Sequence, residues 1–218
     1  MEDECGDAVP DRATFARTLS ALKREGSNIL LVGAAPAAHE RACHRLLGAA
    51  NHDSRYQLIV TTDGDHVACE NADSAAIERI HTIDSRAVLE TETEPAAESG
   101  ASSLGALGIR IVETIDEFDA AAGGFDPSAL RVCIGSLVPL LREYDAETMF
   151  RLLHVMTSRV NRARGMGHYH VPLAPDHDAV ALFEPLFDAV VTVRSRRGTD
   201  EQRWHLRETE TTTDWLEL

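Results

Sequence analysis

The segment Asn28-Ile-Leu-Leu-Val-Gly33 constrains this chain more than any other. Its apolar residues run without alternation and stop at a glycine, so a strand here must be covered on both faces. Covering both faces takes helices, and Ala37 to Leu47 carries the first helical pattern, ending at Gly48. Further strands are predicted at Tyr56-Gln-Leu-Ile-Val-Thr61, Ile77 to Ile83, Arg131-Val-Cys-Ile134, His168-Tyr-His-Val171 and Asp188-Ala-Val-Val-Thr-Val193, with a short apolar piece at Ile109 to Val112. Thr114 is placed to cap a helix through Phe118. Asp145 is placed to cap a long helix whose stripe is Met149, Leu152, Leu153, Met156 and Val160, and Ala179 to Phe187 reads as another helix. Such alternation predicts an α/β fold, a mostly parallel sheet with helices on both faces. A turn at Gly198 followed by Gln202 to Leu206 predicts a C-terminal antiparallel hairpin.

At 218 residues and 44% hydrophobic content, the chain is long enough for one sizeable core, so one domain over residues 1–218 is expected. Phe15, Leu19 and Leu22 mark a lead-in helix at about 11–25 that closes on Gly26. Glu90 to Gly105 lacks large apolar residues until Leu104, and a mobile loop is expected at about 90–105.

The formal net charge is -15, from 36 acidic against 21 basic residues, and Lys23 is the only lysine. That balance suits concentrated salt, where screening removes self-repulsion. It also disfavours nucleic acid as a partner, the arginine clusters Arg159, Arg162, Arg164 and Arg194, Arg196, Arg197 reading as solvated ends of elements. Cys5, Cys43, Cys69 and Cys133 stand far apart without a C-x-x-C pair and read as reduced thiols. No apolar run approaches the roughly 18 residues of a membrane span, and the N-terminus is acidic, so a cytoplasmic location is expected.

Gly33-Ala-Ala-Pro-Ala-Ala-His-Glu40 occupies the place of a phosphate-binding loop, G-x-x-x-x-G-K-[ST], between strand and helix. Ala38 then stands where the second glycine belongs, His39 where the lysine belongs and Glu40 where the magnesium-bearing hydroxyl belongs. Each change opposes nucleotide chemistry: Ala38 narrows the loop's conformations, His39 is mostly neutral near pH 7, and Glu40 sets a carboxylate against the anion.

Leu130-Arg-Val-Cys-Ile-Gly-Ser-Leu-Val-Pro-Leu-Leu141, followed by a long helix, resembles the Walker-B region of the KaiC-like branch of the RecA superfamily. That strand ends in Asp-Ser in the branch and in Gly135-Ser136 here, so the residue that steers magnesium is lost as well. From Gly33 to Thr213 the chain is similar to a family of inactivated RecA-superfamily proteins of salt-loving archaea thought to act in signal transduction. Leu137-Val-Pro-Leu-Leu-Arg-Glu-Tyr-Asp145, Gly167-His-Tyr-His-Val-Pro172, Leu186-Phe-Asp-Ala-Val-Val191 and Gln202-Arg-Trp-His-Leu206 carry the likeness. It implies a RecA-like core, a degenerate nucleotide site at Gly33, Ala38, His39, Glu40, Gly135 and Ser136, no ATP or magnesium cofactor, and possible self-association. Asp63 and Asp65 are imperfect substitutes for the acidic pair that follows the second strand in KaiC-like enzymes, and a solvated turn is the expected role.

His168 and His170, two apart on a strand, share a face, and with His177 and Asp176 they form a weaker candidate metal site. No fourth ligand stands at a recognised spacing. Ser136 does not sit in a G-x-S-x-G elbow and reads as a strand-ending hydroxyl. Trp204 reads as core, and Trp215 as a candidate partner contact. The leading expectation is therefore a non-catalytic regulatory or signalling protein acting through protein contacts. The alternatives are an enzyme with an unorthodox, possibly metal-dependent His/Asp site, and a transcriptional regulator, for which no helix-turn-helix pattern is present.

Overall fold

The computed structural model describes residues 12–48, 55–62, 79–91 and 100–218. In chain order the elements are α1 (Arg12–Glu25), β1 (Ser27–Val32), α2 (Pro36–Leu47), β2 (Tyr56–Thr61), β3 (Ile80–Asp84), α3 (Ser85–Thr91), α4 (Gly100–Ala122), β4 (Leu130–Ser136) and α5 (Val138–Glu143). Then follow α6 (Ala146–Arg162), β5 (Met166–Val171), α7 (Asp178–Phe183), a 3-10 turn (Glu184–Leu186), β6 (Ala189–Arg196), β7 (Thr199–Leu206), β8 (Thr211–Thr212) and β9 (Leu216–Glu217). One sheet runs β3-β2-β4-β5-β1-β6-β7-β8, with β9 also paired to β7. Strands β1 to β6 pair in parallel, and the sheet turns antiparallel from β6 to β7 onward. The predicted architecture is thus the observed one, terminal hairpin included.

Strand parity sorts the core into two layers. On one face Leu30, Val32, Leu58, Val60, Val132, Ile134 and Tyr169 pack under α4, α6 and α7. On the other, Ile29, Leu31, Val191, Val193 and Trp204 pack under α1 and α2, with Cys43, Leu47, Ile59 and Cys133 continuing that layer toward β2. Phe15 meets Trp204 edge-on at 5.9 Å, and Trp204 lies in the core as expected. No described helix is long and apolar enough to cross a membrane.

Two local expectations give way to the long helix α4. Its apolar stripe, Leu104, Leu107, Ile111 and Ile115, is buried at helical spacing, so Ile109 to Val112 is helix rather than strand, and 100–105 is helix rather than loop. Residues 92–99 of the expected loop, with Asp63, Asp65, Cys5 and Cys69, lie outside the described residues. Thr114 sits inside α4 and donates its hydroxyl to the Arg110 carbonyl 2.9 Å away, the in-helix alternative to capping. Asp145 does cap α6, accepting from the Thr148 N–H at 2.9 Å, and these hydrogen bonds hold its carboxyl below the usual carboxylate range.

A polar network fastens β1 to α6 and β5. The buried Asn28 donates from Nδ2 to the Thr157 carbonyl at 3.1 Å and to Asn161 Oδ1 at 2.8 Å. Its Oδ1 accepts from the Tyr169 hydroxyl at 3.0 Å, and its backbone N–H donates to Asp188 at 2.7 Å. Gly167 is glycine because a Cβ there would stand 2.8 Å from Asn28 Oδ1. Asn28→Ala strands the buried Tyr169 hydroxyl, and is expected to cost about 2–4 kcal/mol in denaturant unfolding, against under about 1 kcal/mol for a surface change such as Glu40→Gln.

Candidate functional site

Strand β1 delivers the chain to Gly33, where φ is +124° and a Cβ would lie 2.1 Å from the Val193 carbonyl oxygen on β6. Only glycine passes so close to a neighbouring strand. The Gly33 N–H is already used, donating to Leu173 O at 2.9 Å. Helix α2 begins at Pro36, whose ring nitrogen has no hydrogen to offer a ligand. Between Gly33 and His39 only Ala34 and Ala35 stay outside the helix, and the His39 N–H donates to Ala35 O at 3.0 Å. The N–H groups of Gly33 and His39, bonded within the protein, are thus not free to wrap a phosphate.

His39, at the position of the phosphate-binding lysine, points inward and is 6% exposed. Its Nε2 lies 2.6 Å from the Gly33 carbonyl oxygen, and its Nδ1 lies 3.1 Å from His170 Nδ1. A carbonyl oxygen only accepts, so His39 carries its hydrogen on Nε2 and presents a bare Nδ1. His170 then carries its hydrogen on Nδ1, leaving Nε2 bare and 3.8 Å from Cys133 Sγ. Burial pushes the His170 pKa well below that of a free imidazole, with His168 and His39 adding to the effect. Burial also lowers that of His39, opposed in part by the Gly33 carbonyl. Both rings are therefore neutral at pH 7, and no cation occupies the lysine position.

Of the remaining positions of the expected nucleotide site, Ala38 and Gly135 are buried and Glu40 is not. Ala38 is fully buried in the layer with Ile29, Leu31 and Val191. Glu40 is exposed on the opposite side of α2. A Cβ at Gly135 would stand 3.0 Å from the Val60 carbonyl oxygen on β2 and 3.4 Å from Thr62 Oγ1, so a side chain there fits only if these neighbours give by a few tenths of an ångström. The Thr62 hydroxyl donates to the Ser136 carbonyl. Ser136 Oγ accepts from the Val138 N–H at 3.3 Å at the start of α5, the strand-ending role expected of it.

Of the four residues grouped as a candidate metal site, the fold brings together His168 and His170 only. Asp176 and His177 are exposed on the segment leading into α7, where His177 Nδ1 accepts from the Ala179 N–H at 3.1 Å and caps the helix. In their place stand two cysteines that sequence spacing did not connect. Cys43 reaches down from α2 one turn after His39, and Cys133 lies beside His168 in the β4–β5 register. The Cys43 and Cys133 sulfurs are 3.6 Å apart, and Cys43 Sγ is 3.2 Å from His168 Nε2. One ligand atom from each of Cys43, Cys133, His168 and His170 falls within a 4.8 Å sphere of mutual distances, and all four residues are buried. The signals available in the sequence were His39-x-x-x-Cys43, one helical turn, and His168-x-His170, one strand face.

Trp215 is half-buried against the guanidinium groups of Arg194, 3.6 Å from the ring centroid, and Arg203, at 4.9 Å. Arg194 also pairs with Glu201 at 2.7 Å, and Arg159 with Asp116 at 2.6 Å, so each arginine cluster spends a member inside the fold.

The mostly parallel sheet, covered by helices and turning antiparallel at its C-terminal edge, is a KaiC-like, RecA-type fold. A KaiC-like protein from the hyperthermophilic archaeon Pyrococcus horikoshii superposes with a TM-score of 0.55 at 12% identity, over 88% of this chain and 85% of that one. The chain itself belongs to a family described as of unknown function, DUF7504, whose model matches residues 26–193. No curated protein matches the chain significantly.

Restoring the missing acid tests whether the site is merely unfurnished or closed. Gly135→Asp is expected to destabilise the fold by about 1–3 kcal/mol, as overpacking against backbone does, and to confer no magnesium binding in titration calorimetry. Magnesium binding by a fully stable Gly135→Asp protein would show that the space is open.

Proposed function

We propose that this protein is a non-catalytic regulatory module, a KaiC-like fold retained for protein contacts after its nucleotide chemistry was lost. The observation that carries this reading is the ring of His39, turned into the core and bonded to the Gly33 carbonyl instead of extended toward a phosphate. The early start of α2 at Pro36 and the crowded backbone at Gly135 support it independently. The acidic, lysine-poor composition supports action in a salt-rich cytoplasm, and its sign argues against nucleic acid as the partner. The likeness to KaiC-like proteins supports self-association as a companion expectation.

Calorimetry with ATP, ADP and GTP plus magnesium in molar potassium chloride is expected to show no binding tighter than millimolar, and phosphate release no faster than buffer. Micromolar binding of any of the three, or turnover abolished by His39→Ala, would overturn the reading.

The exposed apolar side chains support one face for the partner. A groove of about 520 Å³ between α4 and α6 is lined by Leu104, Gly108, Ile109, Val112, Leu152 and Val155, with Ile109 61% and Val155 47% exposed. Charges at its edge are engaged on their own helices, Arg151 with Glu147, and Arg110 with Glu113 and Glu117. The occupant this fits is the apolar face of an amphipathic helix from a protein partner, read through contact rather than charge. A protein carrying both Ile109→Glu and Val155→Glu is expected to keep its unfolding midpoint and lose at least tenfold of wild-type capture of one defined partner in high salt. Equal capture by both proteins, or a wild-type dimer that the double variant dissociates, would rule out that occupant.

A further inference from the structure

We propose that Cys43, Cys133, His168 and His170 form a closed, structural zinc site that fastens α2 to strands β4 and β5 beneath the former phosphate loop. The inference stands apart from the reading of the nucleotide site, since a structural metal here is compatible with either outcome of the nucleotide titration.

Three of the six donor separations already match those that a small tetrahedral ion needs, and all six lie within 4.8 Å. Zinc bonds of about 2.3 Å to sulfur and 2.0–2.1 Å to nitrogen require separations of roughly 3.8 Å between sulfurs and 3.6 Å between sulfur and nitrogen. The sulfurs stand 3.6 Å apart, Cys43 Sγ stands 3.2 Å from His168 Nε2, and Cys133 Sγ stands 3.8 Å from His170 Nε2. No bond joins the sulfurs, since a disulfide is about 2.05 Å long.

Orientation supports the same assignment. The bond from His39 to the Gly33 carbonyl fixes a chain of hydrogens that ends with the Nε2 lone pair of His170 facing the cysteines. Ligating histidines ordinarily have their second nitrogen held this way by a hydrogen-bond partner. His39, in the former lysine position, is thereby a positioning residue for His170.

Charge balances as well. Two thiolates, two neutral imidazoles and one divalent cation sum to zero, which a dry layer between helix and sheet accommodates where an unpaired ion would not fit. On binding, the two S–H bonds break, two protons leave to solvent, and four donor lone pairs take up the ion. Four protein ligands leave no open coordination position, the signature of a structural rather than a catalytic site.

The test uses the full, untagged chain made in zinc-supplemented cells and purified in molar potassium chloride without chelators. Elemental analysis is expected to find one zinc per chain. The chain carrying both Cys43→Ser and Cys133→Ser is expected to fall at least tenfold, and His177→Ala to retain the metal. Wild-type protein loaded with cobalt is expected to show the intense visible bands of a tetrahedral site together with thiolate-to-cobalt charge transfer, a readout that needs no variant to fold. His39→Ala, which leaves all four ligands in place, is expected to weaken metal affinity about 10–100-fold. Wild-type chain with less than about 0.1 metal per molecule and no tetrahedral cobalt spectrum would overturn the proposal. So would metal retained by the double serine variant, or a metal-free protein holding a Cys43–Cys133 disulfide.

Discussion

A buried imidazole must find a partner for each ring nitrogen, and that demand organises the face of the sheet beneath α2. His39 meets it by bonding the Gly33 carbonyl on one side and His170 on the other. The bond to Gly33 spans the segment from Gly33 to His39, so the histidine ties the start of α2 back to the end of β1. With the ring inside, α2 lies close enough to place Ala38 in the core and Cys43 among the donors of β4 and β5. An extended, charged side chain at the same position would have left that layer without its polar anchor.

The opposite face of the same strands is held by a different polar device. Parity sends Tyr169 toward α6 while His168 and His170 face α2, so strand β5 serves both networks at consecutive residues. On the α6 side Asn28 satisfies Tyr169, Thr157 and Asn161. The central strands are thus fixed to a helix on each side by directional bonds as well as apolar burial.

The sheet was legible in the sequence because buried parallel strands announce themselves as apolar runs, unbroken at Ile29 to Val32 and interrupted only by Thr192 between Ala189 and Val193. The first half of α4 was not. Its stripe of Leu104, Leu107, Ile111 and Ile115 is diluted by glycine and serine, and Ile109 to Val112 imitates a short strand when taken alone. The candidate site was half legible. The motif located Gly33, His39 and Gly135, but a template of loop residues assigns His39 to the ligand side, and only packing turns it inward. Parity paired His168 with His170, whereas Cys43 and Cys133, 90 residues apart on a helix and a strand, meet only through the tertiary fold. His177 drew notice by being near in sequence, and its ring is occupied as a helix cap.

His39 is held as a neutral, inward imidazole in a fixed tautomer. Nitrogen-15 NMR of histidine-labelled protein at pH 7 in high salt reads this directly. Hydrogen is expected on Nε2 with a bare Nδ1 at His39, and on Nδ1 at His170. A doubly protonated His39, or one carrying its hydrogen on Nδ1 with Nε2 open to solvent, would contradict it.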